Sequence, residues 1–239
     1  MAAELLRADR LQTGYQRVQV LWGVDISVEE GESVVLLGAN GAGKTTLLKA
    51  LIGLLPAWNG SIAFAGRDIT HLRTDLRIHL GIAYMSELGV FPSLTIDENI
   101  RVGGHLLPTA ELNARARGLY AMFPDLERRR QALASSLSGG QRKMLGIAKA
   151  LAGKPKLLIM DEPSAGLSPV FVQEVVRALD KSRGHGLSLL VAEQNVKFLD
   201  LADRVYTLDG GRVSFQGTVS EMHDNNALYQ AYFGLRRSA

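Results

Sequence analysis

The chain has 239 residues, which suits one large domain or a core with a subdomain inserted into it. Hydrophobic residues make up 46% of the sequence and none is cysteine, so we expect a globular protein with a sizeable core and no disulfides. The formal net charge of +3 fits an anionic ligand but is too small to indicate nucleic acid.

The N-terminal segment, MAAELLRADRLQTGY, interrupts every apolar stretch with charged residues. A secretory signal requires an apolar run of about 7 residues, and a membrane span requires about 18. The N-terminal segment lacks the first pattern and the sequence lacks the second, so we expect a soluble, cytosolic chain.

Predicted strands and helices alternate at both ends of the chain. The first strands are 5–11, 18–28 and 33–37, a helix follows at 44–55, and further strands lie at 60–65 and 81–85. Helical patterning fills residues 95–153, at 96–102, 110–122 and from Gly139 onward. Strands at 156–160, 187–192, 204–208 and 212–217 then alternate with helices at 169–183 and 195–201. This order predicts a parallel sheet covered by helices, with the helical middle as an inserted subdomain.

Residues 38–45 match the phosphate-loop pattern G-x-x-x-x-G-K-[ST] in full, between an apolar strand and a helix. Backbone N–H groups surround a triphosphate only where no Cβ blocks the approach, which explains the glycines. Lys44 can reach the β- and γ-phosphates, and the Thr45 hydroxyl can bind Mg²⁺. A chance glycine-rich turn is the alternative, which the flanking strand and helix disfavour. The predicted ATP site comprises Gly38, Ala39, Asn40, Gly41, Ala42, Gly43, Lys44, Thr45 and Thr46.

The apolar run 156–160 ends in Asp161-Glu162-Pro163. A buried strand of an α/β sheet presents ligand chemistry at its C-terminal end. We therefore expect Asp161 to bind Mg²⁺, and Glu162, on the other side of the pleat, to act as general base for an attacking water. An ordinary acidic turn is the alternative. Further along, Ser168 is the expected N-cap of a helix that starts at Pro169.

Residues 137–141, Leu-Ser-Gly-Gly-Gln, predict the start of another helix. Ser138 is the predicted N-cap, and Gln141, three residues later, completes a capping box. Gly139 and Gly140 leave the helix N-terminus bare, which favours an anion. From the residues alone, this signature segment could also be only a helix start.

The signature segment matches the motif of ATP-binding cassette (ABC) ATPases. With the phosphate loop upstream and Asp161-Glu162 downstream, the order of motifs resembles that family from about residue 5 to 234. The resemblance implies a single ABC ATPase domain over 1–239. This is an α/β P-loop NTPase with a mixed or parallel sheet core, an N-terminal antiparallel β subdomain and an inserted helical subdomain. The implied core comprises 1–87 and 154–239, and the helical subdomain 88–153.

The resemblance also implies a dimer that hydrolyses ATP. Two such domains pack head to tail, so the signature segment of one subunit closes over ATP on the other subunit's phosphate loop. That segment contributes Ser138, Gly139, Gly140 and Gln141. Tyr15 matches the aromatic residue that stacks on adenine, the alternative being a plain strand-edge tyrosine. Residues 164–168 resemble the turn that touches its counterpart across the dimer.

Two positions depart from the residues usual in the family. Glu87 falls where a glutamine usually contacts Mg²⁺. A carboxylate is a capable ligand for this cation, so Glu87 joins Thr45 and Asp161 as a candidate metal ligand. Gln194 falls where a histidine usually reaches the γ-phosphate. An amide donates to phosphate but carries no titratable proton, so we expect Gln194 to position phosphate and water while Glu162 is the base.

Several short strings resemble one subgroup, the ATPase subunits of bacterial importers for branched-chain amino acids and related amides. They are Glu87, the strings 193–195 and 164–169, and the ending 231–234. The resemblance implies a second ATPase subunit, identical or paralogous, two transmembrane permease subunits docking near residues 87–91, and indirectly a periplasmic binding protein. The chain would then lie on the cytoplasmic face of the plasma membrane, with no nucleic-acid partner.

Three alternatives remain open at this point. The chain could serve an ABC exporter of lipid or lipopolysaccharide, although the residues near Glu87 and Gln194 disfavour it. It could be a non-transport ABC ATPase acting on DNA or ribosomes, although it has a single set of motifs and no long insertion. It could also be a regulator that binds ATP without hydrolysis, which the intact Lys44, Asp161 and Glu162 disfavour.

Overall fold

The computed structural model describes residues 3–86, 89–184 and 186–225. Glu87 and the ending 231–234 lie outside the described residues. The strands are β1 (Glu4–Tyr15), β2 (Val18–Glu29), β3 (Ser33–Leu37), β4 (Asn59–Phe64), β5 (Arg67–Asp68), β6 (Ile82–Met85), β7 (Leu157–Asp161), β8 (Ser188–Glu193), β9 (Arg204–Asp209) and β10 (Arg212–Gly217). The helices are α1 (Lys44–Leu51), α2 (Thr74–His79), α3 (Ile96–Gly103), α4 (Thr109–Met122), α5 (Pro124–Arg128), α6 (Gly139–Ala152), α7 (Pro169–Arg183) and α8 (Val219–Asp224), with 3₁₀ turns at Ala134–Ser136 and Val196–Leu201.

The strands form two sheets. The four-stranded sheet, in the order β2-β1-β4-β5, is antiparallel throughout. The six-stranded sheet has the order β10-β9-β3-β8-β7-β6, in which only the β10–β9 pair is antiparallel. The predicted fold class is therefore confirmed, with a mixed rather than purely parallel main sheet. Along the chain, helices α3 to α6 lie between β6 and β7, which are neighbours in the sheet. The helical segment of the chain is therefore inserted between two paired strands.

Both faces of the main sheet are buried, because consecutive residues of its central strands enter different apolar layers. Val35 and Leu37 of β3 join a layer that contains α3 to α7. Val34 and Leu36 join the opposite layer, which contains α1 and the antiparallel sheet. The continuous apolar runs of β3, β7 and β8 follow from this double coverage.

Helix α1 ends earlier than the sequence predicts, at Leu51 instead of residue 55. Gly53 adopts a left-handed conformation, with φ of 80°, that ends the helical path. The side chain of Arg77, 2% exposed, covers this helix end. Its guanidinium donates to the backbone carbonyl oxygens of Ala50, Leu51, Thr70 and Leu72. A Cβ on Gly53 would lie only 2.9 Å from Arg77 Nε, so the glycine makes room for this cap.

Two short helices, α2 and α8, have no counterpart in the sequence-based prediction, and α5 lies in the predicted helical stretch 95–153 without being predicted as a separate helix. Each spans only five or six residues, too few to show a helical period. Residues 195–201, predicted as helix, form a 3₁₀ turn for which the Asn195 side chain caps the N-terminus. Ser168 does occupy the N-cap of α7 and Pro169 its first turn, but the Ser168 side chain makes no capping hydrogen bond.

A candidate nucleotide-hydrolysis site

The phosphate loop connects the buried strand β3 to helix α1. Gly41 and Gly43 adopt φ values of 82° and 105°, a backbone conformation that favours glycine. Gly43 is the N-cap of α1, and no side chain caps this end of the helix. The helix therefore presents N–H groups and the positive end of its dipole to an anion.

The hairpin between β9 and β10 braces the phosphate loop from outside. Gly211 N donates to Ala42 O over 2.9 Å, and Trp22 N of β2 donates to Gly211 O. A Cβ on Gly38 would lie 2.6 Å from Leu208 O, so the first glycine of the loop allows close packing on β9. The last hairpin of the main sheet thus fixes the loop that follows β3.

Lys44 is 4% exposed and its ammonium group lies inside the loop. Its Nζ donates to Gly38 O over 2.8 Å and to Ala39 O over 3.2 Å. Its Nζ also lies 3.3 Å from Glu162 Oε1, so the Lys44 ammonium group is already paired with one carboxylate.

Asp161 ends β7 and is buried beside the first turn of α1. The Thr45 hydroxyl donates to its Oδ1 over 3.2 Å, and the Tyr84 hydroxyl donates to its Oδ2 over 3.3 Å. Burial raises the pKa of Asp161, while the hydrogen bonds from Thr45 and Tyr84 oppose the rise. The hydroxyl and the carboxylate are the hard oxygen ligands that Mg²⁺ prefers, and a cation there would favour the ionised carboxylate. Mg²⁺ sites need only one or two protein carboxylates when phosphates and waters supply the rest.

Glu162 lies just beyond the end of β7, and the prediction that strand pleating orients it was wrong. Its φ is 46°, so a left-handed turn directs the side chain instead. Its N–H donates to Ala192 O, and its carbonyl oxygen accepts from the side chain of Lys143. These bonds hold a backbone conformation that is costly for a residue other than glycine.

Gln194 lies directly against Glu162. Its Nε2 donates to Glu162 Oε1 over 2.9 Å and to Asn40 Oδ1 over 2.7 Å. The side chains of Lys44 and Gln194 thus converge on one carboxylate oxygen of Glu162, beside the phosphate loop.

Glu193 is a buried residue of this site that the sequence analysis did not identify. It is 2% exposed, and burial raises its pKa against the hydrogen bonds that it accepts from Ser164, Gln194 and Asn195. The sequence places an acidic residue at the end of a mostly apolar strand, and the string 193–195 stands out only for its resemblance to one subgroup.

Tyr15 lies beside the first turn of α1 and is 42% exposed. Its hydroxyl is 3.5 Å from Thr46 Oγ1, and Lys49 Nζ lies 5.9 Å from the centroid of its ring. A half-exposed ring next to the phosphate loop is available to a flat apolar group such as a base.

The signature segment forms the predicted capping box at the start of α6. Gln141 N donates to Ser138 Oγ over 3.3 Å, and Ser138 N donates to Gln141 Oε1 over 3.1 Å. The two glycines differ in their surroundings. A Cβ on Gly140 would lie 2.8 Å from the Phe171 ring. One on Gly139 would meet none of the described residues within 4 Å, apart from its chain neighbours and the backbone of its own helix. Gly140 is therefore required for packing, while Gly139 faces open space.

The phosphate loop and the signature segment belong to different layers of the molecule. Helix α1 packs with the antiparallel sheet on one face of the main sheet, and α6 packs with α3, α4 and α5 on the other. Among residues 3–86, 89–184 and 186–225, no helix combines the length and the apolar composition of a membrane span.

Comparison with known proteins assigns this arrangement to a family. The family model described as ABC transporter matches residues 21–165. The high-affinity branched-chain amino acid transport ATP-binding protein BraG of Pseudomonas aeruginosa is 37% identical over 232 residues, covering 96% of this chain and 100% of that protein. The lipopolysaccharide export system ATP-binding protein LptB of Acidithiobacillus ferridurans is 35% identical, covering 97% of this chain and 98% of that protein.

Solved structures agree with the sequence comparison. The ADP conformation of an ATP-binding cassette of an ABC transporter has a TM-score of 0.84 and 26% identity, covering 97% of this chain and 99% of that chain. A nucleotide-free cassette from an ABC transporter has a TM-score of 0.81 and 25% identity, covering 97% of this chain and 96% of that chain. The chain belongs to the ABC transporter family, as an ATP-binding subunit with ATPase activity.

Proposed function

We propose that this chain hydrolyses Mg–ATP with Glu162 as general base, and that hydrolysis powers a transporter for branched-chain amino acids or related amides. The observation that carries the catalytic assignment is the convergence on Glu162 Oε1, which lies 3.3 Å from Lys44 Nζ and 2.9 Å from Gln194 Nε2. A base and a phosphate-binding cation in contact define where water and the γ-phosphate would meet.

In the proposed reaction, Glu162 accepts a proton from water as the water oxygen bonds to the γ-phosphorus. The bond from that phosphorus to the β–γ bridging oxygen breaks, which releases ADP and phosphate. Gln194 would orient the water or a γ-oxygen through its amide N–H groups. The phosphates would compete with Glu162 for Lys44, which frees the carboxylate to bind water.

Thr45 and Asp161 would hold Mg²⁺, because their oxygens lie 3.2 Å apart beside the phosphate loop. The ion would neutralise charge on the β- and γ-phosphates. Glu87 stays a proposed third ligand, outside the described residues. Tyr15 would stack on the adenine, and its position beside Thr46 supports this role.

We also propose a second ATPase subunit, which completes the site in trans. The assignment of the phosphate loop and the signature segment to opposite layers supports it, because each half of the site on one copy then needs the complementary half from the other copy. Ser138, Gly139, Gly140 and Gln141 would contact ATP bound by the other subunit. Two transmembrane permease subunits and a periplasmic binding protein would complete the importer, with this chain on the cytoplasmic face of the membrane.

Steady-state ATPase assays test the catalytic assignment. Glu162→Gln keeps the shape of the side chain but removes the base, so kcat should fall by about a hundredfold or more. Lys44→Ala is the contamination control, since its rate gives the background. A Glu162→Gln variant with full turnover would exclude Glu162 as the base.

The cargo is tested separately, through the membrane partners. The BraG similarity supports amino-acid import, and the LptB similarity supports lipopolysaccharide export as the second candidate. Affinity purification from membranes should recover two permease subunits. Vesicles reconstituted with them and supplied with the periplasmic binding protein should take up branched-chain amino acids upon ATP addition. Recovery of lipid-export membrane subunits, or vesicles without uptake, would overturn the import assignment.

A further inference from the structure

Glu193 is a buried carboxylate for which the proposed reaction has no role. It ends β8, immediately before Gln194, and is 2% exposed. Burying a carboxylate costs free energy unless hydrogen bonds replace its hydration. The partners of Glu193 therefore indicate what the charge stabilises.

Its two oxygens accept four hydrogen bonds. Oε1 accepts from Ser164 N over 2.6 Å, and Oε2 accepts from Ser164 Oγ over 2.9 Å. Oε2 also accepts from Gln194 N over 3.0 Å and from Asn195 N over 3.2 Å. Three of these donors are backbone N–H groups, which cannot rotate away. A glutamine here would turn its NH₂ group towards at least one of them, so the site matches a carboxylate and not an amide.

These donors come from two different loops. Ser164 lies in the turn that follows Glu162, while Gln194 and Asn195 start the loop after β8. Regular pairing between the two chain segments ends where Glu162 N donates to Ala192 O. Beyond that point, the two loops are joined by the Glu193 carboxylate and by the contact between the Gln194 and Glu162 side chains.

We propose that Glu193 is a positioning residue for hydrolysis, which holds the Glu162 turn and the Gln194 loop together so that their side chains stay in contact. This inference rests on the proposed roles of Glu162 and Gln194. A displacement of about 1 Å in a catalytic group can cost about a hundredfold in rate. Glu193 binds neither the phosphate loop nor Tyr15, so ATP binding should not depend on it.

A double-mutant cycle tests the inference on the full-length chain. Glu193→Gln should lower kcat for Mg–ATP by about tenfold or more and leave KM within about twofold. In the Gln194→Ala background, the same substitution should cost less than about twofold, because the contact that it protects is already absent. A residue with a merely structural role would show the same loss in both backgrounds.

Two results would overturn the positioning role: an unchanged kcat in Glu193→Gln, or an equal loss with and without Gln194. Glu162→Gln, assayed in parallel, separates this inference from the proposed function. An inactive Glu162→Gln beside a fully active Glu193→Gln refutes the positioning role alone. Full turnover in Glu162→Gln refutes Glu162 as the general base and, with it, the positioning role of Glu193.

Two further variants control for folding. Leu6→Ala creates a cavity in the antiparallel sheet, away from both loops, and should lower the unfolding midpoint while kcat stays within about twofold. Glu193→Asp keeps the charge but is one methylene shorter, so it should lower kcat with KM unchanged. If Glu193→Gln does not fold, Glu193→Asp takes its place in the cycle, and wild-type kcat in that variant would overturn the inference.

Discussion

The amide of Gln194 donates to Asn40 Oδ1 and to Glu162 Oε1, and its proposed role depends on this donor. Replacing this donor by a carboxylate would place two anionic groups about 3 Å apart, next to the phosphates. Gln194→Glu should therefore lower kcat about tenfold below Gln194→Ala, which removes the donor without adding charge. Steady-state ATPase rates of the two variants give the comparison.

Gln216→Glu is the matched control for added charge, since Gln216 is exposed on β10, and its turnover should equal that of the wild type. Equal rates in Gln194→Glu and the wild type would contradict the donor role of Gln194.

At the scale of elements, Asp97 joins α3 to α4. Its Oδ2 accepts from Arg101 Nε over 2.6 Å and its Oδ1 accepts from the Tyr120 hydroxyl over 2.8 Å. Burial raises the pKa of Asp97, but these hydrogen bonds outweigh burial and the pKa is lowered from its ordinary 3.8. The contribution of ionised Asp97 to the stability of the fold is therefore fully present above about pH 3.8. It is lost as the pH falls through the pKa that Asp97 has in the folded state.

Asp97→Asn should lower the free energy of unfolding by about 1 kcal/mol at pH 7, and its deficit relative to the wild type should shrink below pH 4. Urea unfolding at pH 7, 5 and 3.5 measures the deficit. Asp125→Asn is the control, because Asp125 and its partner Arg128 are both exposed and such pairs contribute little. A deficit that grows in acid would contradict the assignment.

Sequence reasoning worked best where a motif is local. The phosphate loop and the capping box of Ser138 depend on residues a few positions apart, and the structure has the predicted loop and cap. It worked poorly where a contact joins distant segments. The Arg77 cap on α1 and the four hydrogen bonds of Glu193 arise only once the sheets are assembled, so no spacing in the chain signals them. The left-handed turn at Glu162 was missed for the same reason.

At the scale of the whole molecule, Gly139 tests the proposed trans site. Because its Cβ would meet no described residue within 4 Å, apart from its chain neighbours and the backbone of its own helix, Gly139→Ala should fold normally. In a closed dimer the added methyl group would enter the space near the other subunit's ATP, so kcat should fall by about tenfold or more. Thermal unfolding and ATPase rates, measured together, check both halves of the prediction.

Two other glycines serve as controls for Gly139→Ala. Gly118 lies in α4 and its surroundings are as open as those of Gly139. Gly118→Ala should therefore keep full activity while gaining up to about 1 kcal/mol of stability. Gly140→Ala should lose stability as well as activity, since its Cβ would strike Phe171. Normal turnover in Gly139→Ala would count against a trans site in this segment.

The position of β3 in the main sheet determines when the nucleotide site can form during synthesis. This strand carries the phosphate loop and lies between β8 and β9, both of which come late in the chain. The brace from Gly211 N to Ala42 O comes later still. During synthesis, the loop residues leave the ribosome long before either neighbouring strand exists. The nascent chain therefore cannot complete its nucleotide site until the hairpin of β9 and β10 has emerged. A chain truncated before Gly211 lacks the hydrogen bond that braces the phosphate loop, as well as its C-terminal residues.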